Sequence, residues 1–251
     1  MNSVQLERVG RVALLRIDRP PANAIDLELA KEFSVTLEGI DDSDAISALV
    51  LTGVGNCFCA GLDLKALPSY DRNQQEAMIM QLNHLFGGLY GLRLPTIAAV
   101  NGHAIAGGVI LTLACDYRIG AQGDYKIGLA EARVGVPFPV SAMTIVQSEL
   151  RPDIARTMVL TARNSSPQEA KSMGVLDELI PPELLMSRAI EVAEEMATLP
   201  RDVFSRIKSQ LRATALSRID DAMSHPKEPM LDSWLTEETK VASAEALKRR
   251  S

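Results

Sequence analysis

The stretch Asn101-Gly102-His103-Ala104-Ile105-Ala106-Gly107-Gly108 limits what this chain can fold into more than any other. It follows a short apolar run, residues 96–100, set between Pro95 and Asn101-Gly102, and it opens into the apolar run 109–115. That pattern predicts a buried strand, a turn of small residues and a buried helix. Two glycines fall in the first turn of this helix. Backbone N–H groups there have no intrahelical partner, and without side chains nothing bars a ligand oxygen from reaching them. The same glycines would equally let the helix pack closely on a neighbour, and a short Gly motif alone does not choose between these readings.

A second junction of the same kind stands upstream. The buried-strand pattern of residues 48–53 leads to Cys57-Phe58-Cys59-Ala60-Gly61-Leu62-Asp63, predicted to turn into a helix with the Asp63 carboxylate capping its first turn. Two such junctions, at Cys59 to Asp63 and Ala106 to Gly108, can present two main-chain N–H groups to one oxygen. Between them the pattern predicts a helix over 74–92. Before them come a hairpin over 4–16, turning at Gly10-Arg11, a proline-rich loop over 19–25, and a helix over 27–40 capped by Asp26. The acid cluster 41–44 reads as a solvated turn rather than a metal site. Strands follow over 115–121 and 125–128, and helices over 142–150, 155–161, 167–173, 182–199, 200–216 and 231–250. Strands and helices therefore alternate to about residue 140, with a helical remainder that packs on the first part or on another subunit.

At 251 residues, 47% hydrophobic and 23% charged, the chain can bury a sizeable core. A net charge of −6 argues against a general nucleic-acid partner. Cys57, Cys59 and Cys115 lack zinc spacing and read as free thiols, which suits a reducing cytoplasm; no metal or cofactor is expected. No apolar run reaches membrane-spanning length and no secretory signal opens the sequence, so a soluble, cytoplasmic protein without membrane contact is the expectation.

Three segments, Phe58-Cys59-Ala60-Gly61-Leu62-Asp63-Leu64, Asn101 to Gly108 and Gly128-Leu129-Ala130-Glu131, in this order and spacing, make the chain resemble the crotonase superfamily over nearly its whole length. This is the superfamily of the enoyl-coenzyme A hydratases and isomerases. Arg19-Pro20-Pro21-Ala22-Asn23-Ala24 looks like its first coenzyme A loop. The details around Ala106-Gly107-Gly108, residues 115–119 and Glu131 are most similar to the Δ3,Δ2-enoyl-CoA isomerases. The resemblance implies an α/β fold built as a ββα spiral, residues 1–195, that binds acyl-CoA. Residues 196–251 would form a helical C-terminal region that assembles the chain into trimers or dimers of trimers. It implies a thioester oxygen held by the backbone N–H groups of Cys59 and Gly107, with Glu131 as the catalytic acid/base. Substrate would lie against Ala22, Ala24, Ala60, Gly61, Leu62, Asp63, Ala106, Ile110, Ala130 and Phe138.

Removing a proton beside a thioester puts charge on its oxygen, which two fixed N–H donors stabilise, and it requires a base. The hydratases of the superfamily use two glutamates to handle a water. The first falls three residues after the oxyanion-hole glycine, which is Ile110 here, and the second is Glu131. A single carboxylate suffices to carry a proton from C2 to C4 in β-oxidation of an unsaturated chain, so an isomerase is the expectation. A hydratase or another acyl-CoA lyase or hydrolase, with its second group elsewhere, is the alternative. An alternative of another class is a non-catalytic CoA- or RNA-binding scaffold. Against RNA, residues 74–92 carry no Lys or Arg. Cys59 as a reactive thiol and His103 as a base are further readings of the same segments, beside a buried thiol and a hydrogen-bonded structural histidine. Lys65, Lys248, Arg249 and Arg250 are candidates for the coenzyme A phosphates, beside a solvated basic helix end.

Overall fold

The strand Val4–Val9 (β1) and the strand Val12–Ile17 (β2) form the expected antiparallel hairpin in the computed structural model, which describes residues 3–224 and 236–248. Asp26 caps the helix Leu27–Asp41 (α1), accepting from the N–H of Leu29. Three units of strand, strand and helix follow. They are Ala48–Gly53 (β3), Cys57–Cys59 (β4) and Arg72–Gly91 (α2); Thr96–Val100 (β5), His103–Ile105 (β6) and Gly107–Ala114 (α3); Tyr117–Ala121 (β7), Ile127–Gly128 (β8) and Glu131–Val134 (α4). The first strand of each unit joins one large sheet, in the order β1-β2-β3-β5-β7. The second strands form a small sheet, β4-β6-β8. From β2 onward every pairing is parallel. Each unit thus repeats the path of the last, one strand further on, and the chain winds as a ββα spiral. All six residues of β3 and all five of β5 are buried, as parallel strands covered on both faces require.

The remainder is helical: Val140–Glu149 (α5), Pro152–Thr161 (α6), Pro167–Ser172 (α7), then Leu185–Met196 (α8), Arg201–Leu211 (α9), Ala213–Ser224 (α10) and Glu237–Lys248 (α11). One strand interrupts it. Glu178–Ile180 (β9) pairs parallel with β7 and completes the large sheet, where the hydropathy pattern indicated only helices. The helix expected over 200–216 is two helices, broken at Arg212, and the helix expected over 182–199 begins as a 3-10 turn before α8. Part of the terminal helix expected over 231–250 lies outside the described residues.

Between the helical part and the spiral lies a buried set of charges. Lys208 Nζ donates to Asp116 Oδ2 at 2.8 Å and to the Leu94 carbonyl at 3.2 Å. Arg212 Nη1 stands 3.1 Å from Asp116 Oδ1, and its guanidinium stacks 3.9 Å from the Tyr90 ring centre. Asp116 also accepts from the N–H and hydroxyl of Thr96.

Candidate active site

The helix expected after Cys59 is absent. From Ala60 to Asp63 the backbone is irregular, with Gly61 at φ 78°, and its groups pair with the loop before α1: Ala60 N–H to Ala22 O, Ile25 N–H to Gly61 O and Asp63 N–H to Ile25 O. Donors and acceptors engaged in that way cannot also serve helical turns. Helical structure resumes only as a 3-10 turn at Leu67–Ser69. Asp63 therefore caps a turn rather than an α-helix, accepting from Lys65 and Ala66 N–H, and its other oxygen lies 2.8 Å from Arg19. Arg19 also meets Asp26 at 2.7 Å, so one guanidinium ties the loop to both acids. Asn23, buried and at φ 51°, donates to the carbonyls of Val54 and Cys57. Neither role was visible in the sequence. An Arg and an Asn flanking two prolines and an alanine are the only signal that could have pointed there.

The two glycine-bearing segments do meet. A Cβ on Gly61 would stand 2.7 Å from the Ala106 Cβ and 3.1 Å from the Gly107 nitrogen, and one on Gly108 would overlap the Cys59 carbonyl oxygen. Only glycine admits so close an approach of backbone to backbone. Ala106, at φ 53° and ψ −118°, turns the chain from β6 into α3 in a region that L-residues rarely occupy. Gly107 is the first residue of α3, where no carbonyl four residues back serves its N–H.

Beside this contact opens a narrow cleft with room for only about 40 Å³. Ala60, Leu62, Ala106, Gly107, Ile110 and Ala130 line it, whereas Cys59 and Gly61 do not, and Leu82 and Phe86 from α2 with Val136, Pro137, Pro139 and Ala142 complete the wall. Phe138 is a correction. Its ring belongs to the buried core and is not among the lining residues, because the prolines on either side of it face the cleft instead. Ala22, Ala24, Asp63 and Lys65 line an adjoining groove that shares Ala60, Leu62 and Leu64 with the cleft. The side chain of Lys248, and all of Arg249 and Arg250, lie outside the described residues.

Glu131 is the one titratable group among the described residues that line the cleft. It opens the four-residue helix α4 and is 7% exposed. Its Oε2 is buried with no hydrogen-bond partner among the described residues. Burial without a countercharge pushes its pKa up from 4.5 to about 8, against a smaller opposing effect of the nearby backbone N–H groups. Such a carboxylate is a strong proton acceptor held next to apolar walls. Its burial also couples to stability. Below pH 4.5 the group is neutral in folded and unfolded chains alike, but between 4.5 and 8 only the unfolded chain ionises, so the fold loses about 3 kcal/mol of stability by pH 7. Glu131→Gln removes that slope. Urea denaturation of both proteins at pH 5 and pH 8 is expected to favour the variant more strongly at pH 8.

The other reactive groups are otherwise engaged. The Cys59 thiol is wholly buried, its pKa pushed up to about 12, and it accepts the Gly61 N–H. His103 Nδ1 accepts the Lys126 N–H at 3.1 Å, outside the Glu131 cleft. No helix among the described residues is long and apolar enough to cross a membrane, and no cluster of three metal-ligating side chains occurs among them.

The model of one family, described as enoyl-CoA hydratase/isomerase, matches residues 7–248. The mitochondrial enoyl-CoA delta isomerase 1 of Mus musculus is 32% identical over 217 residues, 84% of this chain and 74% of its own. A short-chain-enoyl-CoA hydratase of Clostridium acetobutylicum is 28% identical over 100% of this chain and 96% of its own. Among solved structures, the human mitochondrial Δ3-Δ2-enoyl-CoA isomerase superposes with a TM-score of 0.91 at 24% identity, covering 99% of this chain and 98% of its own. An Mtb enoyl-CoA isomerase does so with a TM-score of 0.81 at 28% identity, over 90% and 97%.

Proposed function

The chain belongs to the enoyl-CoA hydratase/isomerase family, and from that premise we propose that it is a Δ3,Δ2-enoyl-CoA isomerase with Glu131 as its sole acid/base. A 3-enoyl thioester lies in the cleft with its carbonyl oxygen between the N–H groups of Cys59 and Gly107. The Glu131 carboxylate takes a proton from C2, the electron pair moves onto the oxygen as a dienolate, and the same carboxyl returns the proton at C4. The double bond has then moved from C3–C4 to C2–C3, with no atom gained or lost. The coenzyme A portion follows the groove along Ala22, Ala24 and Lys65.

The observation that carries this reading is the solitary carboxylate. Hydration needs a second group to hold and deprotonate water, and the position for one is filled by Ile110, 1% exposed and part of the apolar wall. Hydration remains the second reading because the clostridial relative named for it aligns along this whole chain. Parallel assays of the purified protein on a 3-enoyl-CoA and on crotonyl-CoA separate the two. Isomerisation is expected to run far ahead of hydration; comparable rates, or hydration alone, would overturn the proposal.

Main-chain donors for the oxygen make a second prediction. Gly108→Ala is expected to push the Cys59 strand away from α3 and to lower kcat by about 10²-fold, the worth of one donor in such a hole. Circular dichroism of the variant should stay at the parent's value. The assembly we propose is a homotrimer or a dimer of trimers. It is supported by the exposed apolar row Leu199, Val203, Ile207 and Leu211, spaced every four residues along and just before α9.

A further inference from the structure

We propose that the last helix, α11, holds the Glu131 carboxylate in its working position through two buried hydroxyls, Thr239 and Ser243, which are positioning residues for the proton transfer. The inference rests on the reading of Glu131 as the acid/base. The helix that carries Glu131 is only four residues long, too short to hold its own geometry. Within it, the Ala130 carbonyl is taken by the N–H groups of Arg133 and Val134, and the Glu131 carbonyl by those of Gly135 and Val136. The carbonyls of Val134 and Gly135, at its end, are met from the far end of the sequence. Ser243 Oγ donates to Val134 O at 3.0 Å and Thr239 Oγ1 to Gly135 O at 2.8 Å.

Both hydroxyl residues are buried, at 5% and 2% exposure, and they are four apart on one face of α11. The contact is close. A Cβ on Gly135 would stand 3.1 Å from the Thr239 Cα and 3.3 Å from the Ala242 Cβ, so α11 lies directly on the left-handed turn that ends α4. Val134 and Val136, on either side of that turn, are walls of the cleft that keeps water from Glu131. Fixing α4 from behind therefore fixes both the carboxylate and its dry surroundings. A misplacement of reacting groups on the scale of an ångström is enough to cost a large factor in rate.

Among the described residues no charged side chain other than Glu131 itself lines the cleft. Arg133 on α4 turns to the Ala162 carbonyl, and the described charged residues of α11, Lys240 and Glu245, are exposed. From α2, α3 and α5 the described residues that face the cleft are Leu82, Phe86, Gly107, Ile110 and Ala142, none of them charged. The raised pKa of Glu131 comes from burial, so any shift of α4 that admits water to the carboxylate returns it toward the ordinary range.

The test compares the full-length parent with Thr239→Val, Ser243→Ala, the double variant, Thr239→Ser and Glu131→Gln. For the double variant kcat is expected to fall by about 10- to 100-fold while KM stays close to the parent's. The acid limb of its kcat/KM profile should move to lower pH, and Thr239→Ser, which keeps the hydroxyl, should behave as the parent. If the double variant does not fold, Thr239→Val against Thr239→Ser carries the comparison. Parent-like kcat and pH profile in folded Thr239→Val and Ser243→Ala, beside an inactive Glu131→Gln, overturn the positioning role alone. Full activity in Glu131→Gln overturns the acid/base reading beneath it.

Discussion

Glu131→Gln is expected to lower kcat for double-bond migration by about 10³-fold and to leave KM nearly unchanged, the effect of removing a general acid/base while keeping its shape. The amide fills the same space and meets the same apolar walls, so binding of the acyl chain is not the step affected. Nor can another group replace it. Every other described residue lining the cleft is an alanine, glycine, proline, leucine, isoleucine, valine or phenylalanine, none of which moves a proton. The loss should appear in steady-state kinetics with a 3-enoyl-CoA, and in a failure to exchange the C2 proton with deuterated solvent. A loss of less than tenfold would mean that the carboxylate is not the group that carries the proton. The parent's own profile checks the same point, because kcat/KM should rise with pH as the free enzyme's Glu131 ionises, near pH 8.

Much of this site was legible in the sequence because it is made of backbone. Close approach of two chains leaves a mark that can be read, glycines at Gly61, Gly107 and Gly108, and the buried strands of the large sheet are marked by their apolar runs. What escaped was structure fixed by distant partners. Two strands of the small sheet, β4 and β6, are three residues long, too short for an alternating pattern, and exist because each unit of the spiral lays one beside the last; β8 alone falls in a run expected as a strand, 125–128. Residues after Cys59 looked helical by analogy with those after Ala106, yet their hydrogen bonds go to the loop at Ala22 and Ile25. The strand β9 is partly exposed along its length and is defined by the edge of β7 that it completes.

The same limit applies to side chains. Glu131, and Ile110 in place of a second glutamate, could be placed by motif, but most of the wall that dries the carboxylate could not, since it comes from α2, from the segment between α4 and α5, and from α5. Phe138 was expected beside the acyl chain from the resemblance, as part of the segment that would border it. The backbone between Pro137 and Pro139 turns it inward instead. Thr239 and Ser243 stand more than a hundred residues from the carbonyls they meet, and nothing local distinguishes them from surface hydroxyls.

Asp116→Ala is expected to destabilise the fold by about 3–5 kcal/mol, as removal of one partner from a buried ion pair does. Asp116 lies in the bend between α3 and β7, and a carboxylate there reads in the sequence as a helper of the strand that follows. It does more than that. One oxygen takes the N–H and hydroxyl of Thr96 at the start of β5 together with the Lys208 ammonium, and the other faces Arg212. Lys208 and Arg212 are 7% exposed each, so both are cut off from water. Burial already lowers the Lys208 pKa, and Asp116 is the countercharge that opposes this. In the alanine variant Lys208 keeps the Leu94 carbonyl and the Phe204 ring, 5.9 Å away, while Arg212 retains Glu149 at 3.5 Å and the Tyr90 carbonyl. The larger part of the loss therefore falls on the lysine. A double variant, Asp116→Ala with Lys208→Met, should recover much of it, because a buried apolar pair requires no countercharge. Urea denaturation of the parent, both single variants and the double completes the cycle. If Asp116→Ala and the double variant lose equally, the buried ammonium is not the origin of the cost, and α9 is held to the spiral by its apolar packing instead.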